Sequence, residues 1–295
     1  MKVTVIGASC IDIICHGVSA EVFETGHQYA NKTVMSFGGD GLNESIILSK
    51  LGLDVDFITV LGNDDAGRNI YNYCKDNNVN IIPSYKSINT YISTILVDNK
   101  GNRNLIGTKD GSLRQLSVED VKFPLNGEIV SFASMFISRK MNEKDYELLF
   151  KRVKEDNKIL VADTTTIKNN ETVKQYSNVL NKIDYFLPND KEAMLFTRCN
   201  SVEESAEVLF NAGVKNVIIK CGEKGCYVKN GTLSKYISTD KYECIDTTGA
   251  GDSFVSGFIS GLSKGLDIEK CCEIANNCGG KCIQSVGTTT WTDNL

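Results

Sequence analysis

A chain of 295 residues with 41% hydrophobic and 23% charged side chains can bury a substantial core and lacks the composition of a disordered protein. Its net charge of -5 argues against nucleic acid or an anionic membrane surface as the main partner, and no apolar run approaches the roughly 20 residues that span a bilayer. The start, Met1-Lys2-Val3-Thr4-Val5-Ile6-Gly7, reads as a strand running into a glycine rather than as a signal peptide, so a cytoplasmic location is expected. The 11 cysteines include no C-x-x-C pair and the only histidines are His16 and His27, so reduced, mostly buried thiols are expected rather than a zinc site.

Short β-branched runs alternate with amphipathic segments along the chain. In order, the pattern predicts a strand over 3–6, a helix over 41–51, a strand over 57–61 and a helix over 65–77. Further strands are predicted at 129–132, 159–162, 184–187 and 216–220, with helices over 142–155, 171–181 and 202–212 between them. The last of these helices begins at a Ser-x-x-Glu capping box, Ser201 and Glu204, and stops at Gly213. Alternation of apolar strands with helices predicts an α/β fold, with a central, mostly parallel sheet covered by helices on both faces. Two stretches, about 13–36 and 90–108, alternate polar and apolar residues instead, the second around a turn at Asp98-Asn99-Lys100-Gly101. Alternation means one wet face, so these are read as a small β-sheet lid on a single domain spanning 1–295.

The segment Asp246-Thr247-Thr248-Gly249-Ala250-Gly251-Asp252-Ser253-Phe254 precedes an apolar, helix-compatible run. A glycine loop at a helix start turns backbone N–H groups and the positive dipole end toward one point, which suits phosphate. A carboxylate at that spot is electrostatically unfavourable unless it acts, and the act that fits is taking a proton from a hydroxyl that attacks the phosphate. Gly7 does not begin a dinucleotide fingerprint, because Ser9 and Asp12 stand where G-x-G-x-x-G needs glycines, and no P-loop motif occurs. Asp12 follows the first strand, where open α/β sheets bind ligands; it could hold a diol or simply lie on the surface. Gly38-Gly39-Asp40-Gly41-Leu42-Asn43 opens a helix, either as an ordinary capped turn or as a close backbone approach to a ligand. Asn189 and Glu192 share a helical face, which suits either a helix cap or a water-rich Mg²⁺ near phosphates. Lys220-Cys221-Gly222-Glu223-Lys224-Gly225 is a turn between two strands that could pass under a nucleotide.

Taken together, these motifs make the chain resemble the ribokinase-like (PfkB) family of carbohydrate kinases over nearly its whole length. The 246–254 segment matches the family's D-T-x-G-A-G-D signature, 38–43 its G-G-x-x-x-N signature, 189–192 its N-x-x-E motif and 220–225 its nucleotide strand. The resemblance implies an ATP-dependent kinase acting on a sugar hydroxyl, with Asp252 as base and Gly249, Ala250 and Gly251 supplying anion-binding amides. It implies substrate contacts from Asp12, Gly39, Asp40 and Asn43, and a nucleotide groove lined by Lys220, Gly222, Gly225 and Asn276 or its neighbour Asn277. Mg²⁺ would be held largely through water near Asn189 and Glu192, and a K⁺ ion, used by many relatives, would lie at Asp246 and Thr248. Pairing of lid strands between subunits, seen in relatives, would make a homodimer.

Two positions depart from the family pattern. Cys10 stands where ribokinases commonly carry an asparagine that contacts the sugar, and thiols bind sugars poorly. Asp40 stands where phosphosugar kinases often carry lysine; as an anion it would repel a substrate phosphate, so a neutral sugar is expected. Arg103 and Lys109, in or just after the second lid strand, would be the source of positive charge for an acidic sugar or phosphosugar. The alternatives are a nucleoside kinase on the same fold and, further off, a non-catalytic sugar sensor.

Overall fold

The computed structural model describes residues 1–295, with Asn294 described by its backbone alone. Its strands are β1 (Lys2–Ile6), β2 (Cys10–His16), β3 (Lys32–Gly38), β4 (Asp54–Gly62), β5 (Asn80–Lys86), β6 (Ile92–Val97), β7 (Arg103–Gly107), β8 (Ile129–Met135), β9 (Ile159–Thr164), β10 (Tyr185–Phe186), β11 (Asn216–Lys220), β12 (Cys226–Lys229) and β13 (Ser234–Ile237). The helices are α1 (Val22–Thr25), α2 (Asp40–Lys50), α3 (Asp65–Asp76), α4 (Glu143–Glu155), α5 (Ser177–Leu180), α6 (Asp190–Thr197), α7 (Val202–Asn211), α8 (Ala250–Ser263) and α9 (Ile268–Cys282). The chain forms the ribokinase-like α/β fold. Nine strands make the large sheet in the order β13-β12-β11-β10-β9-β8-β1-β4-β5. β11, β12 and β13 pair antiparallel and every other neighbouring pair is parallel. The alternating stretches form a separate four-stranded sheet, β3-β2-β6-β7.

Successive side chains of a strand point to opposite faces, and here both faces are covered. Val130 and Phe132 of β8 pack with Tyr146, Phe150, Phe196 and Leu209 from α4, α6 and α7. Ile129 and Ala133 of the same strand join the opposite cluster, with Leu42, Ile46, Phe254 and Phe258 from α2 and α8. All 11 cysteines are free thiols, and seven are buried. Cys271 and Cys278 act as small apolar residues between α8 and α9. Opposite them are Gly261 and Gly257, where an added Cβ would come within 2.9 and 2.8 Å of the sulfurs.

Three local expectations are revised and two strands are added. The helix expected over 171–181 shrinks to α5, because the Glu171 carboxylate turns back to accept from Lys168 N at 3.0 Å and Asn169 N at 2.8 Å, fixing a turn instead. The strand expected over 184–187 keeps only two paired residues. β5 and β13, the two edge strands, had no clear signal: β5 contains Pro83, and β13 is largely exposed. At α7, Ser201 Oγ accepts from Glu204 N at 3.2 Å, but the Glu204 carboxylate bonds to Asn200 N at 3.3 Å, so the reciprocal half of the capping box is displaced by one residue.

The start of α2 is pressed against the end of β1. Gly39 sits at φ 98°, and a Cβ on Gly41 would lie 2.7 Å from the Gly7 backbone. This approach sinks the next turn into the core and buries Glu44 completely. Ser131 Oγ donates to Glu44 Oε2 at 2.6 Å, while Oε1 has no partner among the described residues. Burial pushes its proton affinity well above the usual carboxylate range, only partly offset by Ser131 and reinforced by Asp252, Asp163 and Asp40. A raised folded pKa means that the native state keeps a proton the unfolded state has released, so stability falls as pH rises above the unfolded value of ~4.3. Glu44→Gln, which mimics the protonated form, is expected to raise Tm at pH 7–8, with the gain shrinking toward pH 4–5. Thermal unfolding of both proteins across that range tests this; a pH-independent offset would contradict it.

Candidate active site

The carboxyl ends of β9 and β11 deliver Asp163 and Lys220 side by side, and Asn189, just beyond β10, bridges to Lys220 through the backbone. Lys220 and Asp163 form a direct ion pair in which their side chains are only 13% and 6% exposed. Burial works against both charges and pushes Asp163 up to about 7. Yet the surrounding carboxyls Asp163, Glu192 and Asp252 hold Lys220 above its ordinary value despite desolvation. Lys220, expected along the nucleotide groove, is thus the cationic centre of an acidic cluster. Asp163 was not anticipated, although an aspartate ending an apolar strand is the same signal that singled out Asp12.

The N-terminus of α8 faces this pair. Gly249 precedes it with φ 82°, and a Cβ there would lie 2.8 Å from Thr288 Cα. The amides of Gly249, Gly251 and Asp252 have no acceptor among the described residues, as the first turn of a helix leaves them. The Ala250 amide, expected to join them, is instead turned to Thr247 O at 3.3 Å. A Cβ on Gly251 would stand 3.5 Å from Lys220 Nζ, so the ammonium and the free amides bound the same space.

Asp252, in the first turn of α8, accepts from Asn43 Nδ2 at 2.6 Å, and Asn43 Oδ1 in turn accepts from Thr288 Oγ1 at 3.0 Å. Asn43 therefore orients the acid, a role beyond the sugar contact expected of it. Burial raises the proton affinity of Asp252 well above the usual range, Asp40 and Asp163 add to this, and Asn43 and Lys220 oppose it. Asp40 lies at the start of α2, bonded by Ser134 Oγ and likewise pushed up by burial, against the pull of Lys220 and Lys168. Asp12 on β2 accepts from Ser93 of β6 and weakly from the buried Cys10 thiol at 3.9 Å. Burial and the charges of Asp12 and Asp40 keep that thiol protonated.

The remaining predicted residues divide. Asn189 and Glu192 cap α6 reciprocally: Asn189 Oδ1 accepts from Glu192 N at 2.9 Å, and Glu192 Oε2 from Asn189 N at 3.0 Å. Asn189's oxygen is thereby spent on the helix, but the second Glu192 oxygen has no hydrogen-bond partner among the described residues and faces the Lys220 cluster. One free carboxylate oxygen fits a cation that keeps most of its water. Asp246 Oδ1 accepts from Thr248 N at 3.0 Å and Thr248 Oγ1 at 2.6 Å, Oδ2 from Gly287 N at 3.4 Å, and Arg103 on β7 reaches it at 3.7 Å. A monovalent cation at Asp246 and Thr248 would have to compete with that guanidinium. Gly222 is exposed with nothing near its Cβ position, while Gly225 needs its φ of 83° because a Cβ would lie 2.1 Å from Ile237 O. Asn276 does not reach into the groove: its buried amide donates to Ile237 O at 3.1 Å and Ser238 O at 3.2 Å, fixing the end of β13. Asn277 donates to Tyr242 Oη at 2.9 Å.

An α/β protein with free helix-start amides, a buried lysine and an oriented acid at the carboxyl edge of its sheet has the apparatus of a phosphotransferase. The family description "pfkB family carbohydrate kinase" matches residues 1–294, and the chain belongs to that family. An uncharacterised sugar kinase of Archaeoglobus fulgidus is 27% identical over 81% of this chain and 95% of its own. An ATP-dependent 6-phosphofructokinase of Thermoanaerobacterium thermosaccharolyticum is also 27% identical, over 81% of this chain and 76% of its own. Among solved structures, a ribokinase of Thermotoga maritima superposes with a TM-score of 0.80 at 25% identity, covering 98% of this chain and 95% of that one. The protein is a sugar or nucleoside kinase of this family, in which ATP is the phosphoryl donor. Among the described residues, no helix is long and apolar enough to cross a membrane.

Because Asn43 stabilises the ionised form of Asp252, Asn43→Ala is expected to move the acid limb of the kcat/KM pH profile to higher pH. Activity at neutral pH should also fall by roughly tenfold or more, the scale of a charge-assisted hydrogen bond. A pH–rate series on both proteins checks this, and an unmoved limb would count against Asn43 tuning the acid.

Proposed function

We propose that this protein transfers the γ-phosphoryl group of Mg-ATP to a hydroxyl of a small sugar, with Asp252 accepting the hydroxyl proton. The observation that carries the reading is the juxtaposition at the start of α8. There an acid oriented by Asn43 at 2.6 Å shares one space with unpaired helix-start amides and the Lys220 ammonium. The amides of Gly249, Gly251 and Asp252 are oriented for the phosphoryl oxygens before any ligand binds, so charge that develops during transfer meets fixed donors. Lys220 adds a full positive charge next to them. Asp12, Asp40 and Asn43 present oxygen and amide groups that suit sugar hydroxyls, with Gly39 allowing close backbone approach. The small sheet β3-β2-β6-β7 would act as the lid that excludes water, closing through Arg103 and Asp246.

When bound with ATP, Mg²⁺ neutralises part of the phosphate charge, and Glu192 would hold it through its water shell. The environment of Asp252 refines its chemistry. A free aspartate is a weak base at neutral pH, whereas burial beside Asp40 and Asp163 raises proton affinity toward the working range of a general base. The expectation of a neutral substrate rested on an anionic Asp40. Burial raises the proton affinity of Asp40, while the Ser134 hydrogen bond, Lys220 and Lys168 support its charge, so cations near Asp40 offset the repulsion it would exert on an acidic sugar.

Asp252→Asn should lower sugar-dependent ADP release at least ~100-fold, on the scale of general-base contributions, while ATP still binds. Coupled ADP assays and calorimetric ATP titration measure the two; near-normal turnover in the variant would remove Asp252 from the proton-acceptor role.

A further inference from the structure

Where the end of β7 faces the segment after β8 lies a cavity of about 200 Å³ lined by Tyr91, Gly107, Lys109, Arg114 and Arg139. Its floor is rigid. Arg114 ends a short turn at 112–114, and its carbonyl accepts from Arg139 N at 3.0 Å and Ser138 Oγ at 3.4 Å, so the two guanidinium-bearing segments are locked together. Three cations line the cavity against one carboxylate, Asp110, which sits 3.6 Å from the Arg139 guanidinium. Both members of that pair are more than 60% exposed, so it is weak and leaves most of the positive charge available. Arg114 pairs with no carboxylate among the described residues, and its Nε is buried without a hydrogen-bond partner. A buried, unmet guanidinium N–H is unfavourable by itself, and a bound anion is the natural acceptor for it.

The cavity adjoins the sugar side of the site. Tyr91 lines it, and the Tyr91 hydroxyl feels Arg114 on one side and Asp12 and Cys10 on the other. Lys168, exposed after β9, has its ammonium held below its ordinary value by partial desolvation first and then by Arg114 and Arg139, with Asp40 pulling the opposite way. Gly107 lets β7 close directly over this space, since a Cβ there would meet Tyr91 Oη at 2.1 Å.

We infer that the substrate is an anionic sugar, and that this cavity binds its carboxylate or phosphate at the end remote from the accepting hydroxyl, through Arg114 and Arg139. The inference rests on the kinase reading above and narrows its substrate class. It departs from the neutral sugar expected of the sequence, because the charge that opposes Asp40 comes from residues outside the family motifs.

The test compares matched neutral sugars, sugar acids and sugar phosphates as ADP-release substrates, in wild type and in Arg114→Lys, Arg114→Met and Arg139→Gln. Thermal-shift binding of the same compounds is measured without ATP. The acidic arm is expected to have the higher kcat/KM in wild type, and its preference over the neutral counterpart should fall tenfold or more in Arg114→Met, the scale of a hydrogen bond to a charged group. Arg114→Lys should retain part of the preference, and added salt should weaken binding of the acidic compounds selectively. Whether sugar acids or sugar phosphates respond identifies the anionic group. If neutral sugars are turned over in an Asp252-dependent way, and Arg114→Met and Arg139→Gln leave the acid-to-neutral ratio unchanged, the inference fails and the kinase reading survives. If acidic sugars stabilise the protein through Arg114 but no sugar is phosphorylated, the kinase reading fails and the anion site stands.

Discussion

A single buried ammonium holds the site together. Lys220 stands among Asp163, Glu192 and Asp252, with Asp40 also within its field. Removing water from that many carboxyls is strongly unfavourable unless a cation shares the space. Direct contact with Lys220 offsets part of the burial of Asp163, and Asp163, Glu192 and Asp252 all take up proton affinity. Because Lys220 and Asp163 end neighbouring parts of one parallel sheet, the fold itself fixes the spacing of the charges. Nothing flexible has to order around them.

That arrangement explains why a carboxylate can stand at an anion-binding helix start. In water an aspartate beside a phosphate would be repelled, and as a free acid it would be a feeble base. Here Asp40 and Asp163 raise its proton affinity, Asn43 limits the rise, and Lys220 keeps the local potential acceptable to an anionic ligand. In the role proposed for Asp252, these opposing influences would make one side chain compatible with phosphate and useful to a hydroxyl. Glu44, one turn further along α2, shows the outcome without such a balance: it is sealed in the core near the same acids with one oxygen unmet.

Much of this was legible in the sequence, for a physical reason. Strand–helix alternation with apolar strands has few architectures open to it, and the glycines at 39, 249 and 225 mark backbone shapes or close contacts that other residues resist. What escaped was what depends on distant partners. Asp163 ends an apolar strand, a signal too common to single it out until Lys220 arrives from another strand. Asn276 looked available for a ligand, yet two carbonyls at the end of β13 consume it, and that strand was itself invisible because its residues are mostly exposed. The helix expected over 171–181 failed because Glu171 found backbone amides nearer than a helical register would offer.

The same reasoning separates reaction from substrate. The groups that would handle phosphoryl transfer are backbone amides and short side chains at strand and helix ends, whose positions follow from the sheet. The groups proposed to read the rest of a substrate, Tyr91, Arg114 and Arg139, come from the segment before β6, a turn and the segment after β8, brought together only by tertiary packing. Arg103 illustrates the link between the two sets. It extends from the small sheet to Asp246, on the loop that leads into the free amides of α8, so the position of the small sheet and the geometry of that loop are coupled through one ion pair whose guanidinium is exposed and whose carboxylate is largely covered. Such a pair is weak in water and gains strength only as solvent is excluded around it. In the lid role proposed for the small sheet, such a contact would release readily while the site is wet and hold more firmly once a ligand has displaced the water.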